Sequence, residues 1–78
     1  MKIYVRRRHI KAGKCRAARS CPIALAFEEV VGERPLVDAY SLSTHDKGFA
    51  LPRSARRFIE RFDQDKPVKP FAFFLREA

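Results

Sequence analysis

The sequence predicts an α+β fold: a small single-layer antiparallel sheet with two helices on one face, in the order βαββαβ. Three observations point there. Two stretches, one starting at Pro22 and one at Pro52, repeat apolar residues at helical spacing, each with a proline where a helix tolerates it. Short runs rich in alternating, β-branched or aromatic residues lie before, between and after them. The breaks between these segments fall on Gly, Pro, Asp and Ser, the residues that turns use. At 78 residues the chain is read as one domain, 1–78, with a thin core, yet 46% hydrophobic content and seven Phe place it well outside disordered composition.

Lys2 to Arg8 reads as the first strand, with Ile3 and Val5 toward the core and Tyr4, Arg6 and Arg8 on the other side. His9 to Ser20 has no periodicity and carries Gly13 among basic residues, so it is expected to be a solvated, mobile loop. Pro22 to Val31 is the first helix, entered at Ser20-Cys21-Pro22 and stopped by Gly32, with Ile23, Ala26, Phe27 and Val30 facing inward. Leu36 to Ser43 reads as one strand, Thr44 to Gly48 as a hairpin turn and Phe49 to Leu51 as the returning strand. The second helix, from Pro52, aligns Ala55, Phe58, Ile59 and Phe62 in an apolar stripe and ends before Pro67. Phe71 to Arg76 is the last strand. This is the ferredoxin-like arrangement, with a three-stranded variant as the alternative, and it leaves one sheet face open. Alternation assigns Tyr4, Arg6, Arg8, Phe49 and Phe74 to that face.

Charge is segregated along the chain. Lys2, Arg6, Arg7, Arg8, Lys11, Lys14, Arg16 and Arg19 all precede the first acidic residue, Glu28, and from there on the signs balance, so the net charge of +8 is an N-terminal property. Such a segment attracts phosphate backbones or acidic surfaces. Tyr4, Arg6, Arg7, Arg8, Lys11, Lys14, Arg16, Arg19 and Phe49 are the expected contacts. Arg53, Arg56, Arg57 and Arg61 form a second basic face on the second helix, one that Glu60 would partly neutralise through Arg56 or Arg57.

Catalytic motifs are lacking. Gly13, Gly32 and Gly48 lie too far apart for a phosphate loop, Ser43-Thr44-His45-Asp46 suits a turn better than a triad, and the Asp residues scatter. His9, Cys15, Cys21 and His45 are separated by five, five and twenty-three residues, unlike the close pairs of structural zinc sites. A non-enzymatic protein with no cofactor and no metal is expected. Cys15 and Cys21 read as free thiols of a reducing, cytoplasmic setting, and no apolar run is long enough for a membrane span.

Two resemblances add to this reading. Ile3-Tyr4-Val5 and Lys47-Gly48-Phe49-Ala50 resemble the starts of the two signatures of the RNA-recognition-motif family, which implies base stacking on sheet aromatics. Leu51 and Pro52 depart from the longer signature. Over nearly the whole length, His9-Ile10 followed by Gly13, Cys21 to Ala26, Leu51-Pro52, Ala55 to Asp63 and Lys66 to Phe71 resemble small uncharacterised proteins of tailed bacteriophages and prophages. That resemblance implies a phage accessory protein, a class that includes host-defence inhibitors such as anti-CRISPR proteins. The expected partner is then a bacterial protein or ribonucleoprotein complex, bound through the basic N-terminal segment. The alternative is direct binding of single-stranded RNA or DNA by an aromatic and basic sheet face. A further alternative, a self-associating structural module, follows from the excess of Phe, with a monomer or weak homodimer expected.

Overall fold

Ile3 and Val5 are buried while Lys2 and Tyr4 face solvent, so the first strand, β1 (Lys2–Val5), sets an inner and an outer sheet face. The computed structural model describes residues 1–77, which form three helices and two antiparallel sheets. The α+β class holds, in more pieces than the single sheet and two helices expected. β1 pairs with β5 (Phe71–Phe74), which sets Ile3 beside Phe73 and Val5 beside Phe71. The second sheet runs in the order β2 (Leu36–Val37), β3 (Ser41–Ser43), β4 (Gly48–Ala50), β6 (Arg76–Glu77). Leu75 alone separates β5 from β6. It exchanges backbone hydrogen bonds with Met1, its N–H donating at 2.7 Å and its carbonyl accepting at 3.2 Å. One C-terminal segment therefore belongs to both sheets, pairing first with β1 and then with β4.

Residues 6–12 depart from expectation. Arg7 and Arg8 lie in a short helix, α1 (Arg7–Ala12), rather than a strand, and the predicted loop loses its first third to that helix. The reason is local: the Arg6 N–H donates to His9 Nδ1 at 2.9 Å, while the N–H groups of His9 and Ile10 return to the Arg6 carbonyl at 3.0 and 3.2 Å. His9 is buried, and Ile10 packs against the core, so the turn has tertiary support that a six-residue helix needs. The expected strand over 36–43 is likewise split. Asp38 accepts from the N–H groups of Tyr40 and Ser41 at 2.8 and 2.7 Å and from the Ser41 hydroxyl at 3.0 Å, which makes a turn between β2 and β3.

α2 (Pro22–Val31) has the predicted bounds, with Pro22 at its start and Gly32 in the left-handed region (φ 85°), where its N–H reaches the Glu28 carbonyl at 2.7 Å. Ile23, Ala26 and Phe27 point inward, but Val30 is 56% exposed and Val31 is exposed as well, so the inward stripe ends at Phe27. α3 (Arg53–Asp63) buries Ala55 and Phe58 and packs Ile59 and Phe62 partly against the core. Phe58 stacks on Phe71 at 4.8 Å between ring centres, and Phe71 on Phe73 at 5.4 Å. Since Phe71 and Phe73 share the inner side with Val5 and Ile3, α3 covers the same face as α2, whose Phe27 meets Phe49 edge-on at 5.7 Å. Both long helices thus lie on one face, and the other stays open.

Two substitutions test this packing. Phe58→Ala should lower the free energy of unfolding by about 3–5 kcal/mol, by loss of a buried aromatic and the cavity left behind. Gly13 has ordinary extended geometry, yet an added Cβ would sit 2.6 Å from Pro22 Cδ and 2.7 Å from its Cγ and N. Gly13→Ala should therefore cost about 1–3 kcal/mol by overpacking. Urea unfolding measures both, and a wild-type midpoint for Gly13→Ala would show that the chain before α2 does not lie against Pro22.

Candidate polyanion-binding surface

Alternation sends Lys2 and Tyr4 of β1 to the outer face, together with Ala72 and Phe74 of β5 and Arg76 of β6. The register sets Lys2 across from Phe74 and Tyr4 across from Ala72, whose methyl leaves the tyrosine ring uncovered. Tyr4 is 46% exposed and Phe74 63%. Lys2 Nζ lies 5.2 Å from the Tyr4 ring centre and 5.4 Å from that of Phe74, and the Arg6 guanidinium lies 5.2 Å from the Tyr4 ring. Exposed rings with cations close by are what stacked bases and their phosphates use, and Lys2 and Arg6 are held near these rings before any ligand arrives.

Phe49 does not join them. It is 5% exposed and packs against Phe27, because β4 turns Gly48 and Ala50 outward and Phe49 inward. Phe49 is thus corrected from a contact residue to a core residue, and the likeness of Lys47 to Ala50 to a base-stacking signature loses its aromatic. Lys2 and Arg76 were absent from the expected contacts, and Phe74 was expected on the open face but not as a contact. The sequence pattern ends the last strand at Arg76, whereas the structure continues it as β6 and turns Arg76 outward.

The N-terminal basic residues divide among three places. Arg6 serves the outer face; Arg7, Arg8 and Lys11 lie on α1; Lys14, Arg16 and Arg19 lie on the connection to α2. Arg8 is engaged by the Glu29 carboxylate, which also accepts from His9 Nε2 at 2.8 Å. Hydrogen bonds, first from Arg8 and then from His9, lower the Glu29 carboxyl from 4.5 to about 2. The connection is tied down rather than loose. The Arg16 N–H donates to Asp63 Oδ1 at 2.9 Å, the Cys15 thiol donates to the Phe62 carbonyl at 3.1 Å, and the Val37 N–H donates to the Ala18 carbonyl at 2.8 Å.

Arg53, Arg56, Arg57 and Arg61 are exposed on α3. Arg61 is committed to the Pro67 carbonyl, at 3.3 Å from Nε and 3.1 Å from Nη2. The expected pairing of Glu60 with Arg56 or Arg57 is not formed: among the described residues no ion pair within 4.0 Å includes Glu60. Arg53, Arg56 and Arg57 line a groove of about 440 Å³ beside the exposed Tyr40.

Both nitrogens of His9 are bonded, Nδ1 to the Arg6 N–H and Nε2 to Glu29, so the ring is fixed in a structural role. Burial pushes the Cys21 thiol up, which disfavours the thiolate a nucleophile requires. Among the described residues no three His, Cys, Asp or Glu gather to hold a metal ion, and no helix is long and apolar enough to cross a membrane. Comparison with family models, with curated proteins and with solved structures finds no match to the chain.

The Glu29 cluster makes a pH prediction. A carboxyl held below its ordinary value favours the fold when charged, so its contribution is complete above pH 4.5 and is lost as pH falls toward 2. Glu29→Gln should melt below wild type at pH 7, and the two melting curves should converge between pH 4.5 and 2. A gap of constant size down to pH 2 would assign Glu29 no electrostatic role.

Proposed function

We propose that this protein is a non-enzymatic binding module for single-stranded nucleic acid, which lies across the outer sheet face. The observation that carries this reading is the pair of exposed rings, Tyr4 and Phe74, flanked by Lys2, Arg6 and Arg76 on the face that α2 and α3 leave uncovered. The rings accept bases and the cations accept phosphates. Hydrogen bonds to base edges would come only from side chains at the margins, so the reading implies weak sequence preference. The biological setting we propose is that of a phage accessory protein acting on a host nucleoprotein complex, a reading supported by the sequence resemblance alone.

A second reading, docking on an acidic protein surface of such a host complex, is favoured by Arg7, Lys11, Lys14 and Arg19. These are exposed, and among the described residues none forms an ion pair within 4.0 Å. The two readings separate by titration of random-sequence single strands at two salt concentrations. Tyr4→Ala and Phe74→Ala should each weaken binding by about 1–3 kcal/mol, the worth of one stacked base, with little change in melting temperature. Log affinity should fall linearly with log salt. No binding at low salt would sink the nucleic-acid reading. Capture of a host complex that is lost when Arg7 and Lys14 become Glu would then support the protein-docking reading.

A further inference from the structure

Phe74 belongs to two surfaces. Its ring takes part in the outer-face cluster, and it also lines a groove of about 490 Å³ between the C-terminal segment and the start of α3, with Ala72, Arg76 and Ser54. Ser54 in turn lines a second groove, of about 370 Å³, between α3 and the connector before β5. That groove is built from Pro67, Val68 and Phe71, with Arg57 and Lys69 also lining it. The shared Ser54 makes the two one channel leading away from Phe74. No Asp or Glu lines either stretch, whereas Arg57, Arg61, Lys69 and Arg76 do.

Backbone geometry adds donors. Met1 and Leu75 exchange hydrogen bonds in both directions, so alternation along the antiparallel ladder makes Lys2–Phe74 and Tyr4–Ala72 the non-hydrogen-bonded pairs. The peptide groups of Ala72 and Phe74 therefore face away from β1, toward the groove side. The channel thus offers apolar surface, a hydroxyl, peptide N–H and C=O groups and cations, without a single carboxylate to repel phosphate.

We infer that this channel is a second segment of the same nucleic-acid site, in which a strand leaving Phe74 sets a base against Val68 and Phe71 and a phosphate against Arg57 and Lys69. The inference rests on the nucleic-acid reading of the outer face and extends it. Arg61 is bound to the Pro67 carbonyl and acts by positioning the connector that forms the channel wall. The longest dimension of the molecule, 32 Å, corresponds to about nine stacked nucleotides at about 3.4 Å each. A tetranucleotide, about 14 Å long, can lie on the outer face without reaching the channel, whereas a dodecanucleotide, about 41 Å long, exceeds the longest dimension and has length for both.

Fluorescence anisotropy with a thymidine tetramer and a thymidine dodecamer tests this. The expected result is tighter binding of the dodecamer to wild type, reduced by about tenfold in Arg57→Gln/Lys69→Gln. The salt slope of that variant should be smaller by about 0.7, since the phosphate held by Arg57 and Lys69 goes without its cations and each such single-strand phosphate removes about 0.7. Tetramer affinity should stay within twofold of wild type. A dodecamer that binds no tighter than the tetramer to wild type, or that keeps full affinity in the double variant, overturns the channel while leaving the outer-face reading intact. Failure of both probes to bind wild type overturns both. The length comparison on wild type needs no variant, and Arg57→Gln alone, checked by its melting curve, replaces the double variant if that one fails to fold.

Discussion

The structure depends on how residues 71–77 are shared. A chain of 78 residues cannot bury much apolar surface with sheets that act separately, and neither β1 with its single partner nor the short strands β2 to β4 make a core by themselves. Leu75 resolves this. By continuing the β1 ladder through Met1 and leading directly into the pairing with β4, it makes the two sheets present one inner face. Phe71, Phe73 and Leu75 then meet Ile3 and Val5 on one flank, and Phe49 and Leu42 extend the same apolar layer on the other. α2 and α3 have a surface to cover only because of that continuity.

The same division of labour explains the outer face. Side chains alternate along the shared segment, so the arrangement that buries Phe73 and Leu75 also exposes Phe74 and Arg76. Lys2 and Arg6 hover over the exposed rings, which keeps part of the ring surface from water while leaving charge available to a ligand. The exposed aromatic and basic surface is in this sense a by-product of core formation: the strand cannot build one without displaying the other.

Much of this was legible in the residues. Pro22 and Gly32 mark α2 because a proline nitrogen has no hydrogen bond to lose at a helix start, and a glycine alone takes the left-handed exit without strain. The alternation of Ile3, Tyr4 and Val5 was equally plain, as was the α3 stripe. The features that stayed hidden depend on partners distant in sequence. α1 exists because His9 finds Glu29 twenty residues away and caps Arg6 with its other nitrogen, and no periodicity in six residues can announce that. The burial of Phe49 follows from a hairpin that is one residue from the opposite facing, since a shift of one reverses every side chain in a strand. The acid-free channel is formed by residues from α3, the connector and the C-terminal strand, which only the fold brings together.

Pairing of β1 with β5 also bears on how the chain is made. Residues 2–5 are made well before their ladder partners at 71–74, so β1 has no strand to pair with until translation has passed Phe74. Contacts of such sequence separation carry a high loop-closure entropy and slow the search for the native state.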